Sequence, residues 1–386
     1  MSATPLAATW PEEAIPEINL EGNSVRVPDA VSLMSLADVR PDIAKTLLGD
    51  RFLCVGGGLL FVGPSGIGKS SASVQQDILW AMGRPAFRIY PARCLRVLCI
   101  QAENDDGDLG EMARGVCEGL HLTKADGNAI RDQVLYVSER AHTGDRFLTG
   151  VVAPLLEKYR PNLLRLDPLL AYLGDDVNDQ RATAAFLRAG LNPLLEQFNC
   201  AAIINHHTPK VVNRDTSGWR ASDWMYSGAG SADLTNWCRA ALVIDPTYAP
   251  HVFRFIAAKR GGRVGWRDEE DGSTIYERMF RHETTGGLCW HEATAADLAE
   301  VESNKQKRKR KPPPKTKEDF MTLVPSEGAI SKNMLMSRAQ DNGVGEKRTR
   351  GFLSELIEAG DLHEWRVPRP KTNPEIRISR QPQPLA

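Results

Sequence analysis

Leu59-Leu60-Phe61-Val62-Gly63-Pro64-Ser65-Gly66-Ile67-Gly68-Lys69-Ser70-Ser71 is the stretch whose reading decides the fold. Four apolar residues in a row, Leu59 to Val62, read as a strand buried on both faces. They run into Gly63-Pro64-Ser65-Gly66-Ile67-Gly68-Lys69-Ser70, a complete G-x-x-x-x-G-K-[ST] pattern. Its glycines let successive backbone N–H groups converge on anionic oxygens. Lys69 is placed to reach the outer phosphates of a nucleoside triphosphate, and the Ser70 hydroxyl to ligate Mg²⁺. Behind the loop, Val74, Ile78 and Met82 repeat at helical spacing until Gly83 and Pro85 stop the helix. The N-terminus of that helix points its partial positive charge at the phosphates. A glycine-rich turn matching by accident would lack these flanking elements. Residues 63–71 are therefore expected to bind ATP with Mg²⁺.

At 386 residues the chain exceeds one average domain, and 42% apolar content supports a substantial core. The formal net charge of −1 conceals an asymmetry. From Ser303 onward there are 18 Lys/Arg against 10 Asp/Glu, leaving 30 against 39 before it. A basic tail on an acidic body points to a polyanionic partner for the tail. Seven cysteines form no C-x-x-C pair, which fits reduced thiols in a cytoplasmic protein. His282, Cys289 and His291 are the nearest approach to a metal cluster, weighed against a solvated hairpin. No run is long and apolar enough to suggest a membrane span or a secretory signal.

Further buried-type strands follow at Leu95–Gln101, Gln133–Ser138, Asn162–Asp167, Ala201–His207, Ala240–Ile244 and Val252–Ala257. Helical stretches alternate with several of them, so an α/β fold with a mostly parallel sheet covered on both faces is expected. Asp167, ending an apolar strand, fits a Mg²⁺-holding carboxylate working with Ser70. The next residue is Pro168, where the AAA+ arrangement carries a catalytic glutamate. An acid instead follows the strand after the phosphate-loop helix: Glu103, with Asp105 as fallback. That strand is expected beside the phosphate-loop strand, where Glu103 would polarise the attacking water.

These pieces, together with Gln101-Ala-Glu-Asn-Asp, Leu164-Arg-Leu-Asp-Pro, Ile204-Asn-His-His-Thr-Pro-Lys and Gly230-Ser-Ala-Asp-Leu-Thr-Asn-Trp-Cys-Arg, resemble in order the hexameric replicative helicases of the plasmid RepA type. Those are RecA-fold relatives of the DnaB helicases, and the resemblance covers about residues 40–290. It implies His206 and His207 as sensors of the γ-phosphate, His207 preferred. It implies Arg239 as an arginine finger reaching a neighbouring subunit's site, and Lys259 and Arg260 as further cations near that interface. Glu103, Lys69, His207 and Arg239 would then be the catalytic set. Loops 174–182 and 209–230 would face a central channel, with Lys210, Arg214, Arg220, Trp219 and Trp224 gripping single-stranded DNA. A mobile lid over the nucleotide is the other reading of those loops.

Residues 1–30 read as a flexible arm, 31–298 as a RecA-like ATPase core, 299–316 as a basic Pro-rich linker and 317–380 as a separate small domain. Ser32–Leu48 shows helical spacing broken at Pro41. The last domain, with three short helices and two strand-like pieces, resembles a winged helix-turn-helix. Lys347, Arg348 and Arg350 sit where a recognition helix meets duplex DNA, and Arg369 and Lys371 lie in the wing loop. The whole implies a cytoplasmic ATPase forming a homohexameric ring on single-stranded DNA, a replicative helicase of a plasmid, phage or mobile element. The alternative is an ATP-switched DNA-binding regulator or recombination mediator that does not unwind.

Overall fold

The computed structural model describes residues 30–208, 219–226, 232–283, 288–309, 315–368 and 374–383. A hairpin of β1 (Thr46–Leu48) and β2 (Leu53–Cys54) precedes a nine-stranded sheet. Its strands are β3 (Gly58–Gly63), β4 (Val97–Gln101), β5 (Val134–Ser138), β6 (Leu163–Asp167), β7 (Ala201–His207), β8 (Ala240–Pro246), β9 (Val252–Lys259), β10 (Glu277–Glu283) and β11 (Cys289–Glu292). They are ordered β11-β10-β9-β8-β3-β7-β6-β4-β5. Pairing is parallel from β8 through β5 and antiparallel from β8 out to β11. This is the mostly parallel α/β sheet of a RecA-like P-loop core.

The continuous apolar runs are explained by burial on both faces. Leu60 and Val62 point into one apolar cluster with Leu98, Ile100, Leu164 and Leu166. Leu59 and Phe61 alternate into the opposite cluster with Val97, Leu163, Ala72 and Trp80. Helical segments at Gly144–Tyr159 and Gln180–Gln197 cover the first face, and Lys69–Ala81 covers the second. Both segments on the first face contain a widened turn, Leu148–Val152 and Ala185–Leu191. Pro154 and Pro193 follow closely, and a proline removes the regular hydrogen bond to the carbonyl four residues back.

Several expectations change. β4 does not lie beside β3: β7 and β6 separate them. The chain crosses two strand positions after the phosphate-loop helix and fills the gap later, so Asp167 and His207 end the strands lying between Glu103 and the loop. Within Ser32–Leu48 the helical spacing yields only the short helix Leu33–Ala37 and a 3-10 turn at Ile43–Lys45, and Thr46–Leu48 is a strand with Leu47 and Leu48 fully buried. A helix, Ala295–Lys309, runs through the first part of the segment read as linker. Thr294 and Asp297 cap it reciprocally, Arg281 meets Asp297 at 2.7 Å, and Val301 packs on Ala249 and Val252.

The C-terminal part holds helices Lys317–Met321, Lys332–Asp341 and Glu346–Glu358. A small antiparallel sheet orders β12 (Ile330–Ser331), β14 (Glu375–Ser379) and β13 (His363–Val367). The pair β12–β14 was not foreseen, since two residues leave no periodicity. This part has its own apolar cluster, including Phe320, Leu335, Leu353, Leu356 and Ile378. Among the described residues no helix is long and apolar enough to cross a membrane.

Candidate nucleotide site

The carboxyl ends of β3, β7, β6 and β4 meet at one edge of the sheet, where open α/β folds hold ligands. Register places Gly63 level with His207, and Gln101 level with Asp167. Between β3 and helix Lys69–Ala81 the loop turns through Gly66 at φ 78° and Gly68 at φ 90°. No side chain caps the helix and its first turn holds no acid, so its leading N–H groups face an anion site without a competing carboxylate. A pocket of about 370 Å³ is lined by loop residues, by Glu103, Asp167 and His207, and by Met112, Leu288 and His282 beyond them.

Lys69 is buried, and its ammonium donates to the Gly63 carbonyl (3.0 Å), the Pro64 carbonyl (3.2 Å) and His207 Nδ1 (3.0 Å). Burial pushes its pKa down, opposed by the charges of Asp167 and Glu103. An ammonium has only donors, so His207 Nδ1 accepts and the ring proton lies on Nε2. Ser65 Oγ also approaches Nδ1, at 3.1 Å. Nε2 faces Glu103 Oε1 at 3.6 Å. Burial pushes the Asp167 carboxyl up, against Arg165 and a hydrogen bond from Asn205. The structure thus brings Lys69, Ser70, Glu103, Asp167 and His207 to one pocket. Ser70 hydroxyl and Asp167 carboxylate are hard oxygen donors of the kind that suits Mg²⁺.

His282 is the site-lining residue that sequence reading placed wrongly. Among the described residues no group of His, Cys, Asp and Glu is arranged to hold a metal ion. Its ring instead stacks on Trp290 (4.4 Å between centroids) and bonds Ser71 Oγ at 3.2 Å. It lies so close to Gly68 that a Cβ there would fall 2.6 Å from the ring. Gln75 fixes the same hairpin by two bonds of 2.8 Å to the Trp290 backbone. Burial lowers the pKa of His282 to about 4. In sequence His282 is one of several polar residues of Glu277–Glu283, so nothing local marks it as lining the pocket.

Arg239 lies at the other end of the sheet. Its N–H bonds the Gly58 carbonyl at 2.8 Å, at the start of β3. Five strand steps separate Gly58 from Gly63, about 17 Å. Arg260 is close by, its pKa lowered by partial burial and then by Arg263, Arg239 and Arg51. Arg51 and Arg263 carried no local signal, for only the folded hairpin and the turn after β9 bring them there. Lys259 is committed within its own chain, donating to the Thr235 carbonyl at 2.9 Å.

Lys210 and Arg214 fall outside the described residues, as do Arg369 and Lys371. Arg220 is exposed. Trp224 is not an exposed stacking platform: it is buried in the core, edge-on to Trp219, with the Arg254 guanidinium 5.1 Å above it. Lys347, Arg348 and Arg350 are exposed near the start of helix Glu346–Glu358.

Sheet order, phosphate loop and strand-end carboxylates define a P-loop ATPase with a RecA-like core. Residues 23–213 match the family model described as an AAA domain, AAA_25. No curated protein matches the chain.

Proposed function

We propose that this ATPase is a motor on single-stranded DNA, assembled as a ring of copies and most similar in role to RepA-type replicative helicases. The observation that carries the reading is the position of Arg239 and its neighbours, a strand's length from their own phosphate loop. A cation there reaches a nucleotide only on another copy.

In this reading the loop N–H groups and Lys69 bind the triphosphate. Lys69 must release at least one of its present acceptors to donate to a phosphate oxygen, which couples nucleotide entry to His207. Glu103 accepts the proton of the attacking water, and His207 Nε2–H reports the state of that carboxylate and the γ-phosphate. Ser70 and Asp167 would hold Mg²⁺, which supplies charge neutralisation on the β- and γ-oxygens. Arg239 of a second copy adds charge in the transition state, with Arg260 beside it.

The test is ATP turnover with and without single-stranded DNA, alongside strand displacement. Stimulated turnover with displacement is expected. Stimulation without displacement would remove the helicase and leave an ATP-switched mediator or regulator. The C-terminal helices with exposed Lys347, Arg348 and Arg350, beside a small sheet, favour that second reading through contacts to duplex DNA.

A further inference from the structure

β4 is apolar from Val97 to Ile100, yet its last residue is a buried glutamine. Gln101 is 1% exposed and lies level with Asp167 on β6 and with Ser138 on β5. An apolar side chain there would need no partner, whereas a buried amide must be hydrogen-bonded or cost free energy. Gln101 directs its amide to both polar groups of one nearby peptide residue. Its Oε1 accepts from the Asn104 N–H at 2.8 Å, and its Nε2 donates to the Asn104 carbonyl at 2.8 Å. Nε2 also donates to Ser138 Oγ at 2.8 Å. These partners fix which end of the amide is oxygen, since the Asn104 N–H can only donate and its carbonyl only accept.

Glu103 sits inside the ring that this grip closes. Before it, the Ala102 N–H donates to the Asp167 carbonyl at 3.1 Å. After it, Asn104 is held by Gln101, and the Arg140 guanidinium donates to the same Asn104 carbonyl at 2.8 Å. Asp105 then caps the helix Asp106–Gly119 reciprocally with Asp108. The Glu103 carboxylate itself is half exposed and meets His207 Nε2 at 3.6 Å, beyond hydrogen-bond length. Its aim into the pocket is therefore set by the backbone that carries it. Two bonds to one residue fix rotation as well as distance, which a single bond would not.

We propose that Gln101 is a positioning residue whose amide clamps Asn104 and so holds Glu103 toward the water that attacks the γ-phosphate. The inference rests on the reading of Glu103 as the acceptor of that water's proton. It adds a residue that acts from behind the pocket, through the loop. Misplacing a reacting group by about 1 Å can cost on the order of 10²-fold in rate.

The experiment is a double-mutant cycle on the full chain, reading kcat for ATP and affinity for a fluorescent ATP analogue. Gln101→Met keeps the length of the side chain and removes both points of the clamp. It should lower kcat by about tenfold to 10²-fold at unchanged nucleotide affinity. In a Glu103→Gln background the same substitution should lower kcat no further, because the group being aimed is already gone. Gln101→Glu has the native shape and, once ionised, loses the donor to Asn104. It should give the same pattern more mildly, and it decides the matter should Gln101→Met not fold. Wild-type kcat in these variants overturns the proposal. So does an equal loss in both backgrounds, which would mean that Gln101 does not act through Glu103. A fall in nucleotide affinity matching the fall in kcat overturns it too, as the mark of a merely structural role. Full turnover by Glu103→Gln alone would instead overturn the reading of Glu103 beneath it.

Discussion

The two ends of β3 handle positive charge in opposite ways. At its carboxyl end Lys69 is buried, held by two carbonyls and His207, and balanced by Asp167 and Glu103. At its amino end Arg239, Arg263 and Arg51 gather near Arg260, whose pKa is lowered first by partial burial and then by these like charges. Gathering like charges is unfavourable unless something negative arrives. The first end carries a charge balanced within one chain, and in the proposed ring the second end would meet the nucleotide of a neighbouring copy.

The sharpest way to break that contrast is Arg239→Ala. If Arg239 acts on a neighbour's nucleotide, turnover should fall about 10³-fold while fluorescent-nucleotide affinity is kept. Mixing it with Lys69→Ala protein should restore part of the turnover, because a mixed interface pairs an intact loop with an intact arginine. Retained turnover would show the amino end of β3 to be a passive surface. Glu103→Gln probes the other end and should be somewhat milder, costing on the order of 10²-fold in kcat with nucleotide affinity unchanged. Here mixing with Lys69→Ala should rescue nothing, since both lesions lie at the same end and only one kind of subunit keeps an intact loop without its acid.

The same contrast explains what could be read before the fold was known. The phosphate loop is contiguous, so its chemistry is visible as spacing: Gly63 to Ser70 contains its own geometry. Glu103, Asp167 and His207 were also legible because each ends an apolar run, and parallel strands bring their carboxyl ends to one edge. Which strands are neighbours was not legible. Leu95–Gln101 and Leu163–Asp167 are equally apolar, and only the crossover path decides that β4 sits beyond β6. Arg51 and Arg263 were missed because the hairpin and the turn that carry them are far apart in sequence. Trp224 was misread because an aromatic in a polar loop looks the same whether it faces solvent or folds back beneath it. Arg165 was passed over as one charge inside a strand. Its partners lie 88 residues earlier, at Asp77, and 40 residues later, at Asn205.

The smallest effect tests how firmly the loop end is held from behind. His282 is wedged between Trp290 and Gly68, with burial bringing its pKa to about 4 and the nearby His251 adding slightly. Its folded value lies below the ordinary 6.5, so between those values the unfolded chain binds more protons than the folded one. The stability contributed by neutral His282 is therefore fully present above about pH 6.5 and is lost as pH falls toward 4. His282→Phe keeps a flat ring on Trp290 but has no proton to gain. The melting temperature of wild type should fall more steeply than that of His282→Phe between pH 7 and pH 4.5, by ~3 °C, after the acid response common to both proteins cancels. Equal slopes would mean that the ring opens to solvent, and that the hairpin of β10 and β11 does not brace the phosphate loop.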